Sequence, residues 1–120
     1  MKEYTKRRNL NRGYMKLLVW NDAISLFKLT YNLVDKASNV DYKLKTQIIG
    51  AAQSISSNIA EGYGRRSINE YLYFLNIALG SSAELLTRII GLKEIDLIIE
   101  TDYENFDSKH YEVENKLLAL

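Results

Sequence analysis

Apolar residues recur every three or four positions along most of this chain, the spacing that lines one face of an α-helix rather than alternate faces of a strand. Val19, Ala23, Phe27, Thr30 and Val34 form a first stripe. It predicts a helix over roughly 20–36, with Asn21 and Asp22 suited to its start and the polar Ser38-Asn39 beyond its end. Leu44, Ile48, Ala51, Ile55 and Ile59 predict a second over roughly 42–62. Asp41 can cap it, and Gly62-Tyr63-Gly64 can stop it, since glycine takes the left-handed conformation without a side-chain clash. Ser67-Ile68-Asn69-Glu70 has the S-x-x-E form in which serine and glutamate satisfy each other's backbone N–H groups. It opens a third helix over roughly 68–93, along Ile68, Tyr71, Leu75, Ala78, Ser82, Leu85 and Ile89. Thr101-Asp102-Tyr103-Glu104 repeats the capping pattern before a fourth over roughly 101–118, with Tyr103, Phe106, His110, Val113 and Leu117 as its stripe. No strand-like alternation competes.

Four amphipathic helices with short links imply an all-α, antiparallel up-down-up-down four-helix bundle. The chain's 120 residues, 47% of them hydrophobic, suit one core, so 1–120 reads as a single domain with 1–16 as a basic leader. Proline is absent, which removes the strongest helix breaker and favours long helices. Cysteine is absent too, so neither a disulfide nor a thiolate metal site can staple the fold, in keeping with a reducing cytoplasm. No apolar run is long enough for a signal peptide or a membrane span, and the expected setting is cytoplasmic, away from membranes.

Antiparallel packing about the turn at Gly64 puts Asn58 near Tyr71, and Gly80 near Gly50 and Ala51. That gives Gly80 a purpose: small residues facing it would let two backbones approach closely, offsetting the cost of about 1 kcal/mol of a mid-helix glycine. The same reflection sets Trp20 beside Asn58 and gathers Trp20, Asn58, Glu61, Arg65, Arg66, Glu70 and Tyr71 at one pole. Glu84 falls near Lys45, where a salt bridge is expected.

Charge sharpens this picture. The net charge of +1 conceals six Lys or Arg against one Glu in residues 1–16, and eight acids against Lys109 alone between Glu94 and Glu114. The leader enters the bundle at the pole of Trp20, and the acidic stretch begins at the other. Lys6, Arg7, Arg8, Arg12, Lys16, Arg65 and Arg66 are therefore the candidate nucleic-acid-binding residues, with Tyr4 and Tyr14 available to stack on unpaired bases. The function expected is that of a non-enzymatic accessory protein that binds nucleic acid, RNA ahead of DNA. The alternative is a self-assembling scaffold for a protein partner, since abundant tyrosine with surface Leu or Ile suits interfaces.

Catalytic constellations are missing from the pattern. A bundle metal site of the di-iron kind needs Glu-x-x-His pairs, but His110 is the one histidine and no glutamate stands three residues before it. It reads as an ordinary seam or rim residue. Glu61 and Glu84 are expected roughly 24 Å apart along the bundle, too far to act as an acid/base pair. Ser54, Ser57 and Ser81 have no evident histidine base, and Gly62-x-Gly64 ends a helix rather than opening one after a strand, so it is no phosphate loop. No cofactor is implied. Asn58 and Glu61 read as structural, bonding N–H groups of the turn or pairing with Arg65 to fix the corner between the second and third helices.

Several segments resemble a known family. They are Val19-Trp20-Asn21-Asp22-Ala23; Gln47 with Ala51-Ala52-Gln53-Ser54-Ile55; Ser57-Asn58-Ile59-Ala60-Glu61-Gly62-Tyr63-Gly64-Arg65; and Glu70-Tyr71 with Ile77-Ala78-Leu79-Gly80-Ser81 and Glu84. The pattern is similar to that of proteins encoded in intervening sequences of bacterial 23S rRNA, over roughly residues 17–118. The resemblance marks Trp20, Ala23, Ser54, Asn58, Glu61, Gly62, Gly80 and Glu84 as structural positions of the family motif. It implies a four-helix bundle, often assembled as a ring-shaped homopentamer, with no known enzymatic activity. A related branch assists diversity-generating retroelements by binding nucleic acid and reverse transcriptase. The chain departs from the pattern at Ser56, commonly a proline, and at Gly50 and Leu79, commonly arginines, which removes two basic positions from what the resemblance implies.

Overall fold

Each apolar stripe becomes the inner face of a helix. A computed structural model describes residues 2–120, with α1 over Leu18–Lys36, α2 over Tyr42–Gly64, α3 over Ile68–Glu94 and α4 over Glu100–Ala119. A 3-10 helix over Leu10–Lys16 precedes them. The helices form an all-α bundle in which α2 lies against α1 and α3, and α4 lies against α1 and α3, the closed up-and-down arrangement that short antiparallel links produce. The molecule measures 44 × 30 × 24 Å.

The core follows the predicted periodicity closely. Val19, Ala23 and Val34 of α1, Ile48, Ile55 and Ile59 of α2, Leu75, Leu85 and Ile89 of α3, and Phe106, Val113 and Leu117 of α4 are buried in one cluster. Two polar members of the stripes are satisfied inside it. Thr30 donates its hydroxyl to the Leu26 carbonyl at 2.8 Å, and His110, 1% exposed, uses Nε2 to donate to the Ser82 carbonyl at 2.8 Å, with Ser82 Oγ 3.0 Å away. Ile68 departs from its stripe: at the first position of α3 it is 71% exposed, because the core begins a turn later at Tyr71 and Leu75.

Helix ends differ more than helix faces. Asp41 caps α2 by accepting from the Leu44 N–H at 3.0 Å, and Ser67 caps α3 by accepting from the Glu70 N–H at 3.4 Å, as expected. Asn21 and Asp22 do not start α1, which begins at Leu18; Asn21 reaches back to donate to the carbonyls of Met15 and Leu17, both at 2.9 Å. Nor does Thr101 cap α4, whose first residue is Glu100 and whose cap position is Ile99, with no side-chain bond. Glycine does not terminate α2. The helix runs through Gly64, and the left-handed residue is Arg66, at φ 59°, a conformation uncommon outside glycine.

The register between α2 and α3 is also displaced from the simple reflection about Gly64. Ser54 lies opposite Ser81 and Gln47 opposite Arg88, because α2 continues past the expected stop and the turn centres nearer Ser67. Gly80 lies on the face of α3 opposite the buried Ala78 and Ser82 and has no close backbone facing it. It and Gly50 are both exposed, and a Cβ built on either meets nothing within 4 Å. The glycine that does admit close packing is Gly62, where a Cβ would stand 2.8 Å from Phe74 Cβ and 3.1 Å from Tyr71 Cδ1. Glu84 is 3.8 Å from Arg88 on its own helix, while Lys45 pairs with Asp35 at 3.3 Å, so the expected Glu84–Lys45 bridge is replaced by two others.

Candidate nucleic-acid interface

At the end of the bundle where α1 begins and α2 turns into α3, a chain of aromatic rings carries the leader. Tyr4 and Tyr14 meet Trp20 edge-on at 5.6 and 5.3 Å between centroids; Tyr14 meets Tyr63 at 6.4 Å, and Tyr63 meets Tyr71 at 6.4 Å. Such edge-to-face contacts add roughly 0.5–1.5 kcal/mol each beyond area burial. Burial pushes the Tyr71 phenol up, with Tyr63 adding to it, so the ring stays neutral. Gly13 lies so near the Tyr63 ring that a Cβ would come within 2.8 Å of Cζ, so a larger residue there would require the end of the tyrosine to shift.

These contacts bring together basic residues far apart in sequence. Arg66 donates to Asn11 Oδ1 at 3.4 Å, so the α2–α3 corner touches the leader directly. Arg12 donates to the Arg7 carbonyl at 3.1 Å and reaches Thr5 Oγ1 at 3.4 Å, closing the leader on itself. Arg8 pairs with Glu3 at 3.3 Å. Among the described residues, Lys6, Arg7, Arg12 and Lys16 have no carboxylate within 4 Å. Arg65 is more engaged: it pairs with Glu61 at 2.8 Å and lies 5.0 Å over the Phe74 ring. The Glu61–Arg65 pair is an exposed i,i+4 contact within the last turn of α2. Asn58 does not reach the turn; it donates to the Ser54 carbonyl at 2.7 Å and to Ser54 Oγ at 2.9 Å, and Ser54 Oγ bonds Ser81 Oγ at 2.8 Å, linking α2 to α3.

Tyr14 is half-buried between Trp20 and Tyr63, so it serves as a strut rather than a stacking platform, whereas Tyr4 is 46% exposed. Ala23 is fully buried beneath this pole. Asp22 faces α4, where Lys109 donates to it at 3.0 Å and Lys116 also pairs with it. Burial raises the Asp22 carboxyl, but the hydrogen bonds and charges of Lys116 and Lys109 outweigh that and hold it below the ordinary aspartate value. The charges of these two lysines are thereby taken up within the bundle.

The 23S rRNA-intervening sequence protein model matches residues 15–119. The chain belongs to this family. A crystal structure of a protein of unknown function from the S23 ribosomal protein family of Bacteroides thetaiotaomicron is similar in fold, with a TM-score of 0.73 and 24% identity over 85% of this chain and 93% of that one. No curated protein matches the chain in sequence. The family match starts at Met15, so most of the leader lies outside it while Tyr63, Arg65 and Arg66 lie inside.

Sequence reasoning missed Asn11, Gly13, Asn21 and Tyr63, which together moor the leader. A single glycine among bulky and charged leader residues was the one available signal, and only the folded chain shows that it faces Tyr63. Ser82 and His110 form the serine–histidine pair that the sequence did not reveal. It has no route to nucleophilic chemistry, because Nε2 carries the proton it donates to a carbonyl and both side chains are buried. Among the described residues, no three Asp, Glu or His side chains are grouped as metal ligands, and no helix is long and apolar enough to cross a membrane.

Proposed function

We propose that this chain is a non-enzymatic accessory protein that binds nucleic acid, RNA in the first place, through its basic pole. The observation that carries this reading is the docking of the leader on the α2–α3 corner, through Arg66 to Asn11 and Gly13 to Tyr63, which joins the two groups of cations into one surface. Phosphate binding draws on clustered Lys and Arg whose charge is not already neutralised by carboxylates, and Lys6, Arg7, Arg12 and Lys16 meet that condition. Membership of a family named for an rRNA intervening sequence agrees with an RNA partner.

A second reading, self-assembly into a homo-oligomeric scaffold, draws on a different surface. Ile68, Leu72 and Ile90 are all exposed and fall within about 40° of one another around α3, an unpartnered apolar stripe. The two readings separate in one experiment. The protein and a variant lacking residues 1–16 are titrated into labelled structured RNA and duplex DNA, with anisotropy followed at low and physiological salt and mass measured by sedimentation. Binding that weakens steeply with salt and disappears on truncation supports the basic-pole reading. Absence of binding to either probe at low salt, with a defined oligomer persisting in both proteins, would leave the scaffold reading in its place.

A further inference from the structure

The leader does more than present charge: it encloses space. Residues 2–17 curl into an open bowl of about 720 Å³, bordered on one side by Tyr63. Its volume lies within the range of roughly 300–1,000 Å³ typical of sites for small organic ligands. The lining is divided in character. Lys2, Arg7, Arg12 and Lys16 supply cations with no carboxylate within 4 Å among the described residues, and the one acid, Glu3, is taken by Arg8. Tyr4, Leu10, Met15 and Leu17 supply apolar surface, with Leu10 84% exposed and the Tyr4 ring braced edge-on by Trp20.

We infer that this bowl is a binding site for one unpaired nucleotide, phosphate against the cations and base face against Tyr4 and the neighbouring aliphatic side chains. The inference rests on the nucleic-acid reading above and narrows it to single-stranded ligand. In a duplex the faces of each base are covered by its neighbours and only edges and phosphates are presented, so a paired strand could use the cations of the rim but not the apolar lining. An unpaired base has a free face, and every base has one, which makes such a site tolerant of sequence. A simple inorganic anion would use the cations and leave the apolar half of the bowl in water.

Lys2 Nζ stands 5.4 Å over the Tyr4 ring and brings a cation to the same side chain that would stack the base, so one small element offers both chemistries. Arg12, tied to the Arg7 carbonyl and Thr5, holds the wall in shape. Most of the bowl's lining precedes Met15, where the family match begins.

The test compares the 120-residue chain with its Tyr4→Ala variant and with Lys93→Ala, a control at the opposite end. Probes are a labelled eight-nucleotide single strand of RNA, its deoxyribose counterpart, and a blunt RNA duplex of equal charge, with unlabelled mononucleotide or inorganic phosphate as competitor. The expected result is tighter binding of the single strands than of the duplex and a loss of at least about fivefold for single strands in Tyr4→Ala, the usual effect of removing one base–aromatic stack. Duplex binding should not change, and mononucleotide should compete where phosphate at equal concentration does not. The two sugar arms decide between RNA and DNA. Equal affinity for strand and duplex, or a Tyr4→Ala variant that loses nothing or loses both alike, overturns the bowl while leaving nucleic-acid binding by the pole intact. No binding of any probe overturns both.

Discussion

The two ends of this bundle hold themselves together by different means. At the end where α3 passes into α4, cations and carboxylates are matched one against another: Lys36 with Asp102 at 3.0 Å, Lys93 with Glu100 at 2.9 Å, and Lys45 with Asp35 at 3.3 Å. Lys93 also lies 4.3 Å over the Tyr103 ring. At the other end cohesion comes from fit, with Gly13 under Tyr63, Gly62 against Tyr71 and Phe74, and the ring chain from Tyr4 to Tyr71. An end stabilised largely by packing commits only part of its charge to pairs, Arg8 with Glu3 and Arg65 with Glu61, and so it can keep several cations for a ligand. With a long axis of 44 Å, the two ends are separated by several times the ~8 Å screening length at physiological salt, so the acidic end scarcely weakens the field at the basic one.

The sharpest way to break this contrast is to remove the uncommitted cations. Replacing Lys6, Arg7, Arg12 and Lys16 together by alanine should reduce RNA affinity by about a hundredfold at low salt and flatten the log–log salt dependence by about 2–3, at about 0.7 per lost phosphate contact on a single strand. Thermal stability should change little. Next comes Gly62→Ala: its Cβ would overlap Phe74, and the resulting repacking should cost about 1–3 kcal/mol in denaturant unfolding. Asn58→Ala should cost about 1 kcal/mol by removing the bonds it donates to Ser54, the residue that joins α2 to Ser81 of α3; an unchanged melting temperature would count against that structural role.

Asp22 tests the place near the basic end where a carboxylate is held between two lysines. Its carboxyl sits below the ordinary value of 3.8, so its contribution to stability is present above that value and is lost as pH falls through the still lower folded-state value. Asp22→Asn should therefore lower stability at neutral pH and flatten the acid limb of a stability–pH profile; an unchanged acid limb would contradict the assignment. The smallest effect is expected at the paired end. Lys93→Ala should leave thermal stability almost unchanged, as loss of an exposed pair usually does, and leave RNA affinity unaltered.

Periodicity made the helices legible because burial along an amphipathic helix depends on local spacing, and nearly every stripe residue from Val19 to Leu117 reached the core. Ends were less legible because a cap is decided by which residue the chain has available where packing stops. Asp41 and Ser67 were found in place, while Thr101, with a more attractive local sequence than Ile99, was not used. The candidate cations form one group by sequence, yet their contacts divide on folding: Arg65 is committed to Glu61 and Phe74, Arg66 ties the corner to Asn11, and Arg12 braces the leader. Gly80 shows the opposite failure. A glycine in a helix suggests close packing, but Gly80 lies about 200° around α3 from the buried Ala78 and Ser82 and so faces solvent, and Gly62 has that role instead.

By itself the sequence determined four amphipathic helices, the residues they would bury, and the opposite charge of the leader and the fourth helix, because all three depend on residue type and local spacing. Only the tertiary structure decided the register of α2 against α3, the mooring of the leader on Tyr63 and Arg66, and the enclosure of a bowl within it. Those depend on which surfaces meet across long separations in the chain, and a pattern with a period of three or four residues carries no information about that distance.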